Sequence, residues 1–197
     1  MIKEEDRYEI RFGGAGGQGI ITAAIVLAEA AGVYDGKHVC QTQSYGPEAR
    51  GGVSKAEVII SSTVIDYPMA MKPDLLLAMN QASCDTYFLD LKPAGLLVVD
   101  STLVDQIPTS RAVAIPFTRI AQKKIGKGIV ANMVALGAVG SLSQVVSLKN
   151  LEAALLARVP KGTEKINREA LLAGIKAAQQ IDLNSLPRSI TPEEEEV

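Results

Sequence analysis

The sequence predicts an α/β protein built on an open, mostly parallel sheet, with helices on its faces and a C-terminal helical segment. Three observations predict this fold class. A β-prone run, a glycine-rich turn and an alanine-rich helical stretch follow one another between residues 8 and 31. Two continuous apolar runs, 74–79 and 96–100, are typical of central parallel strands buried on both faces. From Phe117 onward the pattern becomes helical.

Six strands and six helices are expected in chain order. The predicted strands are 8–12, 37–42, 53–61, 74–79, 96–100 and 112–115. The predicted helices are 20–31, 81–91, 118–125, 129–142, 148–158 and 163–180. Gly32 is expected to end the first helix, because glycine readily takes the left-handed conformation found at helix ends. Residues 8–42 then form one βαβ unit. The connection 43–52 is too short for a helical crossover, so strand 53–61 is expected to run antiparallel or lie at an edge.

Length and composition favour one globular domain. The chain has 197 residues, a formal net charge of −2, 47% hydrophobic residues and 21% charged residues. We expect a single α/β domain over residues 1–182. The segment 183–197 ends in four consecutive glutamates and is expected to be a disordered, solvated tail. Near-neutral charge and 4% aromatic residues argue against nucleic acid as a partner.

The number and spacing of cysteines and histidines argue against metal, redox and histidine-based catalytic sites. The only cysteines, Cys40 and Cys84, are far apart, and His38 is the only histidine. No spacing therefore suits a zinc site, a redox motif or an iron–sulfur cluster. His38 reads as a strand-end residue rather than a general base. The N-terminus has no secretory h-region, and the small-residue stretch 129–146 is too interrupted by polar residues for a membrane span. A cytoplasmic protein is expected.

The glycine turn, residues 14–19, is the first candidate site. Its glycines and one glutamine satisfy the spacing G-x-G-x-x-G between a strand and a helix, as in a Rossmann-like sheet. The candidate binding residues are Gly14, Gly16, Gly17, Gln18 and Gly19. Amide groups at a helix N-terminus suit a phosphate or carboxylate, so a bound anion and a purely structural turn both stay open. NAD is disfavoured, because Asp35 precedes the second strand instead of ending it, and no Walker lysine is present. A branched side chain at Gly16 is expected to be damaging.

The edge loop, residues 44–52, is the second candidate site. It follows the carboxyl end of a strand, where open α/β sheets carry their binding sites. Its candidate binding residues are Ser44, Tyr45, Glu48, Arg50 and Gly51. A surface loop with a solvated Glu–Arg pair is the alternative. The helix containing Asn132, by contrast, is interpreted as a packing surface because it is rich in small residues.

Three segments together carry a family resemblance over roughly residues 8–180. GGAGGQG opens a helix, SYGPEARGG follows the second strand, and VANMVALGA lies in the C-terminal half. The sequence resembles the gamma subunit of 2-oxoacid:ferredoxin oxidoreductases, a unit that also occurs as a domain inside single-chain pyruvate:ferredoxin oxidoreductases. Ala49, between Glu48 and Arg50, makes the edge loop more similar to the 2-oxoglutarate type than to the pyruvate type.

The resemblance implies a non-catalytic subunit of a complex that oxidatively decarboxylates a 2-oxoacid to an acyl-CoA and passes electrons to ferredoxin. It implies alpha and beta subunits, with or without a delta subunit, as partners, and coenzyme A as co-substrate. Thiamine diphosphate, Mg and iron–sulfur clusters are then expected on the partner subunits, none on this chain, and the isolated chain is expected to be inactive. The alternative hypothesis is a free-standing nucleotide- or phosphate-binding α/β protein.

Overall fold

A six-stranded mixed sheet forms the centre of the protein. The structure, a computed structural model, describes residues 7–45 and 53–187. The strands are β1 (Tyr8–Ala15), β2 (His38–Ser44), β3 (Val53–Ser61), β4 (Leu75–Ala78), β5 (Leu96–Asp100) and β6 (Ala112–Ile115). Their order across the sheet is β2-β3-β1-β4-β5-β6. Strands β1, β4, β5 and β6 are parallel, and β3 is antiparallel to both of its neighbours. The predicted mostly parallel α/β sheet is confirmed.

Strand β3 lies inside the predicted βαβ unit. The predicted antiparallel direction is confirmed, but β3 is not an edge strand, because it pairs with β2 on one side and β1 on the other. β1 and β2 therefore do not pair directly, although the two strands of a βαβ unit usually do. The short connection lets β3 fold straight back along β2 and occupy the position beside β1. Val58, Ile59 and Ile60 are buried there, as expected for an interior strand.

The helices flank this sheet on both faces. They are α1 (Ile20–Glu29), α2 (Gln81–Tyr87), α3 (Phe117–Ile120), α4 (Ala131–Ser143), α5 (Leu148–Arg158) and α6 (Glu164–Ala178). Wider π-helical turns extend α1 through Ala30–Tyr34 and α3 through Ala121–Ile125. Short 3-10 turns cover Phe88–Asp90, Gly128–Val130 and Leu183–Ser185. No helix in the described ranges has the length and apolar character needed to cross a membrane.

The first helix does not end at Gly32, contrary to the prediction. The amide of Asp35 donates to the Ala30 carbonyl at 2.9 Å, and the amide of Lys37 donates to the Ala31 carbonyl at 3.0 Å. These longer-range bonds carry the helix past Gly32 in a widened turn. The left-handed residue that follows is Gly36, with φ of 68°. Glycine therefore marks the helix end, four residues later than predicted.

The main core lies between one face of the sheet and helices α1, α4, α5 and α6. Helices α4 and α6 cross with their backbones in contact, and two glycines make this possible. A Cβ at Gly137 would lie 2.1 Å from the Leu171 carbonyl oxygen, and a Cβ at Gly174 would lie 1.8 Å from the Val134 carbonyl oxygen. The small-residue helix is thus a packing surface, as predicted.

The opposite face of the sheet holds a buried ion pair. The Arg11 guanidinium donates to a carboxylate oxygen of Glu57 at 2.8 Å, and both side chains are 3% exposed. The Lys55 ammonium lies 3.1 Å from the same carboxylate oxygen. Arg11 also donates to the Ala70 carbonyl and lies 5.4 Å from the ring centre of Tyr87. These partners compensate two charges that would otherwise be costly to bury.

The packed chain continues beyond the predicted domain boundary at residue 182. Leu183 and Leu186 pack against the main core. The Arg111 guanidinium donates to the Pro187 carbonyl at 2.9 Å. Residues 183–187 thus bury apolar surface against the domain through two leucines, on the far side of the predicted boundary. Residues 188–197 lie outside the described residues, and the prediction for them stays untested.

Candidate functional site

The glycine turn lies at the carboxyl edge of the parallel strands. β1 ends at Ala15 and α1 begins at Ile20, so the turn points the helix N-terminus toward this edge. Gly17 and Gly19 have φ of 90° and 71°, conformations that favour glycine. The N-cap residue of α1 is Gly19, which has no side chain to cap the first amides of the helix. The predicted strand, turn and helix are confirmed, and they present helix amides to the edge of the sheet.

The Gln18 side chain holds the turn in place through hydrogen bonds at both ends of its amide. Its side-chain oxygen accepts a hydrogen bond from the Ala15 amide at 2.6 Å. Its side-chain nitrogen donates to the Met79 carbonyl at 3.1 Å. The backbone amide of Gln18 donates to the Ala15 carbonyl at 3.1 Å, which closes the turn. One end of the Gln18 side-chain amide thus holds the last residue of β1, and the other ties the turn to Met79, directly after β4.

Gly14 and Gly19 are required by packing. Gly14 lies within β1, not in the turn, and its Cβ would come within 2.8 Å of the Gln18 side-chain oxygen. A Cβ at Gly19 would lie 2.4 Å from the side-chain nitrogen of Asn132. That nitrogen donates to the Gly19 carbonyl at 3.0 Å. Asn132 of α4 therefore belongs to the site. The small residues around Asn132 predict only a packing helix, and the one sequence signal for its role is its position in the motif VANMVALGA.

Gly16 and Gly17 form the open tip of the turn. Both are exposed, and a Cβ at either position would meet no described residue within 4 Å. Gly17 has a left-handed backbone, whereas Gly16 does not. The expectation that Gly16 needs glycine for its backbone angle is therefore wrong. What Gly16 does provide is a bare backbone beside the start of α1, where a ligand or partner can approach closely.

The edge loop begins and ends beside the glycine turn. Ser44 and Tyr45 are exposed at the end of β2, and Ser44 pairs with Lys55. Val53, which follows the loop, pairs with Ala15 at the start of the glycine turn. The two candidate segments thus share one edge of the sheet, as predicted. The candidate residues Glu48, Arg50 and Gly51 lie outside the described residues.

The cysteines and the histidine are dispersed in the structure. The Cys40 thiol lies 3.6 Å from the Pro68 carbonyl oxygen. Cys84 is fully buried against β4 and β5, and this burial raises the pKa of its thiol. His38 is exposed at the start of β2, the predicted strand-end position. In the ranges 7–45 and 53–187, no three His, Cys, Asp or Glu side chains come together as metal ligands.

Comparison with known proteins assigns the family. Residues 9–177 match the sequence profile of the family described as pyruvate ferredoxin/flavodoxin oxidoreductase. The chain belongs to this family. The 2-oxoglutarate synthase subunit KorC of Methanocaldococcus jannaschii is 49% identical over 179 residues, which cover 89% of this chain and 96% of that protein. The pyruvate synthase subunit PorC of Methanothermobacter thermautotrophicus is 31% identical, over 89% of this chain and 98% of that protein.

Solved structures of oxidoreductase family members share the fold. The gamma subunit of a keto/oxoacid ferredoxin oxidoreductase from Geobacter sulfurreducens has a TM-score of 0.82 and 48% identity, covering 89% of this chain and 98% of that one. The 2-oxoglutarate:ferredoxin oxidoreductase from Magnetococcus marinus, described with 2-oxoglutarate, coenzyme A and succinyl-CoA bound, has a TM-score of 0.80 and 27% identity. It covers 97% of this chain, which spans 34% of that longer chain. The resemblance to the gamma subunit is confirmed.

Proposed function

We propose that this chain is the gamma subunit of a 2-oxoglutarate:ferredoxin oxidoreductase. The observation that carries the proposal is the 49% identity to a 2-oxoglutarate synthase subunit across 96% of that subunit's length. The lower identity of 31% to a pyruvate synthase subunit supports the 2-oxoglutarate type. In the complex, the chain supports the CoA-dependent oxidative decarboxylation of the 2-oxoacid to an acyl-CoA.

The chemistry of that reaction belongs, in this proposal, to partner chains. Alpha and beta subunits, with or without a delta subunit, carry thiamine diphosphate, Mg and iron–sulfur clusters, and electrons leave through them to ferredoxin. The described residues of this chain bring no three metal-ligating side chains together. The isolated chain is accordingly proposed to be inactive.

The glycine turn and the edge loop are proposed to act together on coenzyme A or on a carboxylate of a partner subunit. Gly16 and Gly17 offer an open backbone, and the uncapped start of α1 offers amides and a positive dipole end. Arg50 precedes Val53 by three residues, a stretch of at most about 10 Å. Val53 pairs with Ala15, so the Arg50 guanidinium can reach the tip of the turn. A planar, permanently charged fork of donors suits a phosphate or carboxylate.

Co-purification tests the proposed subunit role. A tagged chain expressed with its neighbouring open reading frames should elute with larger chains that carry thiamine diphosphate and show iron–sulfur absorbance. The chain expressed alone should show neither that absorbance nor 2-oxoglutarate turnover. Recovery of the tagged chain free of partners, together with tight binding of a nucleotide, would instead support a free-standing nucleotide-binding protein.

Arg50→Ala in the reconstituted complex tests the proposed site. Loss of one charge-assisted hydrogen bond costs about 1.5–3 kcal/mol, or roughly 10- to 160-fold in the KM for coenzyme A or in subunit affinity. The melting temperature should hardly change, because surface substitutions stay within about 0.5 kcal/mol. Arg168→Ala is the matched control, since Arg168 is an exposed arginine paired with Glu152. If the Arg50→Ala complex assembles normally and has unaltered coenzyme A kinetics, the proposed binding role of the edge loop is contradicted.

Gly16→Val tests the turn independently of charge. The added Cβ has no atom of the residues 7–45 and 53–187 within 4 Å, apart from its chain neighbours, so the fold should remain stable. A molecule that approaches the bare backbone of Gly16 should be excluded, which raises the KM for coenzyme A or weakens assembly. If the variant both melts and turns over like the parent complex, nothing approaches this turn closely and its role is structural.

A further inference from the structure

A basic cavity lies between the end of β6, the α3 segment with its π-helical extension, and the last turns of α6. Its volume is about 600 Å³. The apolar lining includes Ile115, Ile120 and Ile181. The basic side chains that line it are Arg119, Lys123, Lys124 and Lys176. This concave surface is separate from the glycine turn, because β4 and β5 lie between β1 and β6.

The four basic side chains of the cavity lack acidic partners within the described part of the chain. All four residues are exposed, and among the described residues no Asp or Glu lines the cavity. None of the four forms a salt bridge with a described residue. Four like charges around one concavity create a positive potential that attracts a multiply charged anion. The apolar lining beneath them favours an anion that also carries aliphatic carbon.

The described chain ends within reach of this cavity. Pro187 is held by Arg111, which directly precedes β6, and the other end of β6 is the cavity residue Ile115. The length of β6 separates the Arg111 backbone from Ile115 by about 13 Å, and the length of the Arg111 side chain is added to this because Pro187 contacts its guanidinium. Residues 188–196 span up to about 30 Å when extended. The glutamate run Glu193–Glu196 therefore comes within reach of the cavity without any movement of the described fold.

We propose that the basic cavity binds the chain's own glutamate run, Glu193–Glu196. Charge complementarity and reach both select this occupant, because the run carries four carboxylates and the cavity lining carries four basic side chains above apolar ones. Attachment to the same chain gives the run a millimolar effective concentration at the cavity. An acidic segment of another protein has to displace it. The glutamate run thus protects a basic surface from non-specific anions, independently of the oxidoreductase role.

Carbodiimide cross-linking of the full-length chain tests the proposal. The reagent joins a glutamate carboxylate to a lysine ammonium in contact with it, and peptide mass spectrometry locates the bond. Bonds from Glu193–Glu196 should fall on Lys123, Lys124 and Lys176. They should be lost in about 1 M salt, where the Debye length is about 3 Å. Mixing isotope-labelled and unlabelled chains separates bonds within one chain from bonds between two.

Charge-reversed variants provide the matched control. K124E/K176E should lose the bonds from the glutamate run to Lys123, whereas K161E/K165E, with the same charge change elsewhere, should keep them. Bonds spread evenly over Lys161, Lys165 and the cavity lysines would overturn the proposal. Bonds found only between labelled and unlabelled chains would also overturn it, since the occupant is then a second copy. No activity is measured, so these outcomes are distinct from failure of the subunit role.

Discussion

Gly174→Ala is expected to destabilise the protein by forcing apart the crossing of α4 and α6. The new Cβ would lie 1.8 Å from the Val134 carbonyl oxygen and 2.7 Å from its carbonyl carbon. Both are backbone atoms, so no side-chain rotation relieves the contact. Restoring an ordinary separation of about 3.5 Å moves the helices apart by more than 1 Å over their shared interface.

The expected magnitude is the difference of two effects. Overpacking costs about 3 kcal/mol, the upper end of the usual range, because the contact is backbone to backbone. Alanine is better than glycine in a helix interior by about 1 kcal/mol. The net loss is therefore about 2 kcal/mol, which lowers the Tm of a chain this long by roughly 4–8 °C.

Thermal and urea unfolding followed by circular dichroism measure this loss. Gly32→Ala is the matched control, since the same methyl group at Gly32 lies 3.5 Å from a Val39 methyl carbon, an ordinary contact. Its Tm should stay the same or rise slightly. A Gly174→Ala protein that unfolds at or above the parent midpoint would show that the two helices are not in backbone contact.

The buried pair and the buried phenol give two further predictions. Arg11→Met should lower the free energy of unfolding by about 3 kcal/mol, because it leaves the buried Glu57 carboxylate with Lys55 as its cation. A double-mutant cycle with Glu57→Gln, measured by urea unfolding, should show a coupling energy above about 1 kcal/mol, and additive losses would contradict the pairing. Burial, and then the Asp74 carboxylate, raise the pKa of the Tyr8 phenol above its ordinary value of 10.0, so the stability that Tyr8 contributes is present below about pH 10 and is lost as pH rises toward the folded-state pKa. Tyr8→Phe should flatten the fall of Tm above about pH 10, and an unchanged slope would contradict this.

Local sequence patterns predicted most of the elements because those patterns are dominated by neighbours in the chain. Strands β3, β5 and β6 and helix α5 have the predicted bounds, since apolar runs and turn residues delimit them. The position of β3 was not predictable in the same way. A short connection determines that β3 returns along β2, but the partner on its other side depends on how the whole sheet closes.

The candidate site was predictable in position but not in its inner contacts. The glycine spacing indicated the turn, and the strand order places the edge loop beside it. The roles of Gln18 and Asn132 were not accessible, because each depends on a hydrogen bond to an atom distant in sequence, at Met79 and Gly19 respectively. The backbone angle of Gly16 is not the predicted one for a related reason, because glycine spacing does not reveal which glycine takes the left-handed conformation.

Because β3 lies between β2 and β1, the sequence and length of the edge loop can change without changing the sheet. Strand pairing holds both ends of the loop: Ser44 pairs with Lys55 between β2 and β3, and Val53 pairs with Ala15 between β3 and β1. Lengthening such a connection adds only a small loop-closure cost, growing with the logarithm of its length. Family members can therefore change the residues between 45 and 53 without redesigning the sheet. The same property makes this segment a practical position for a spectroscopic label that reports on whatever docks at this edge.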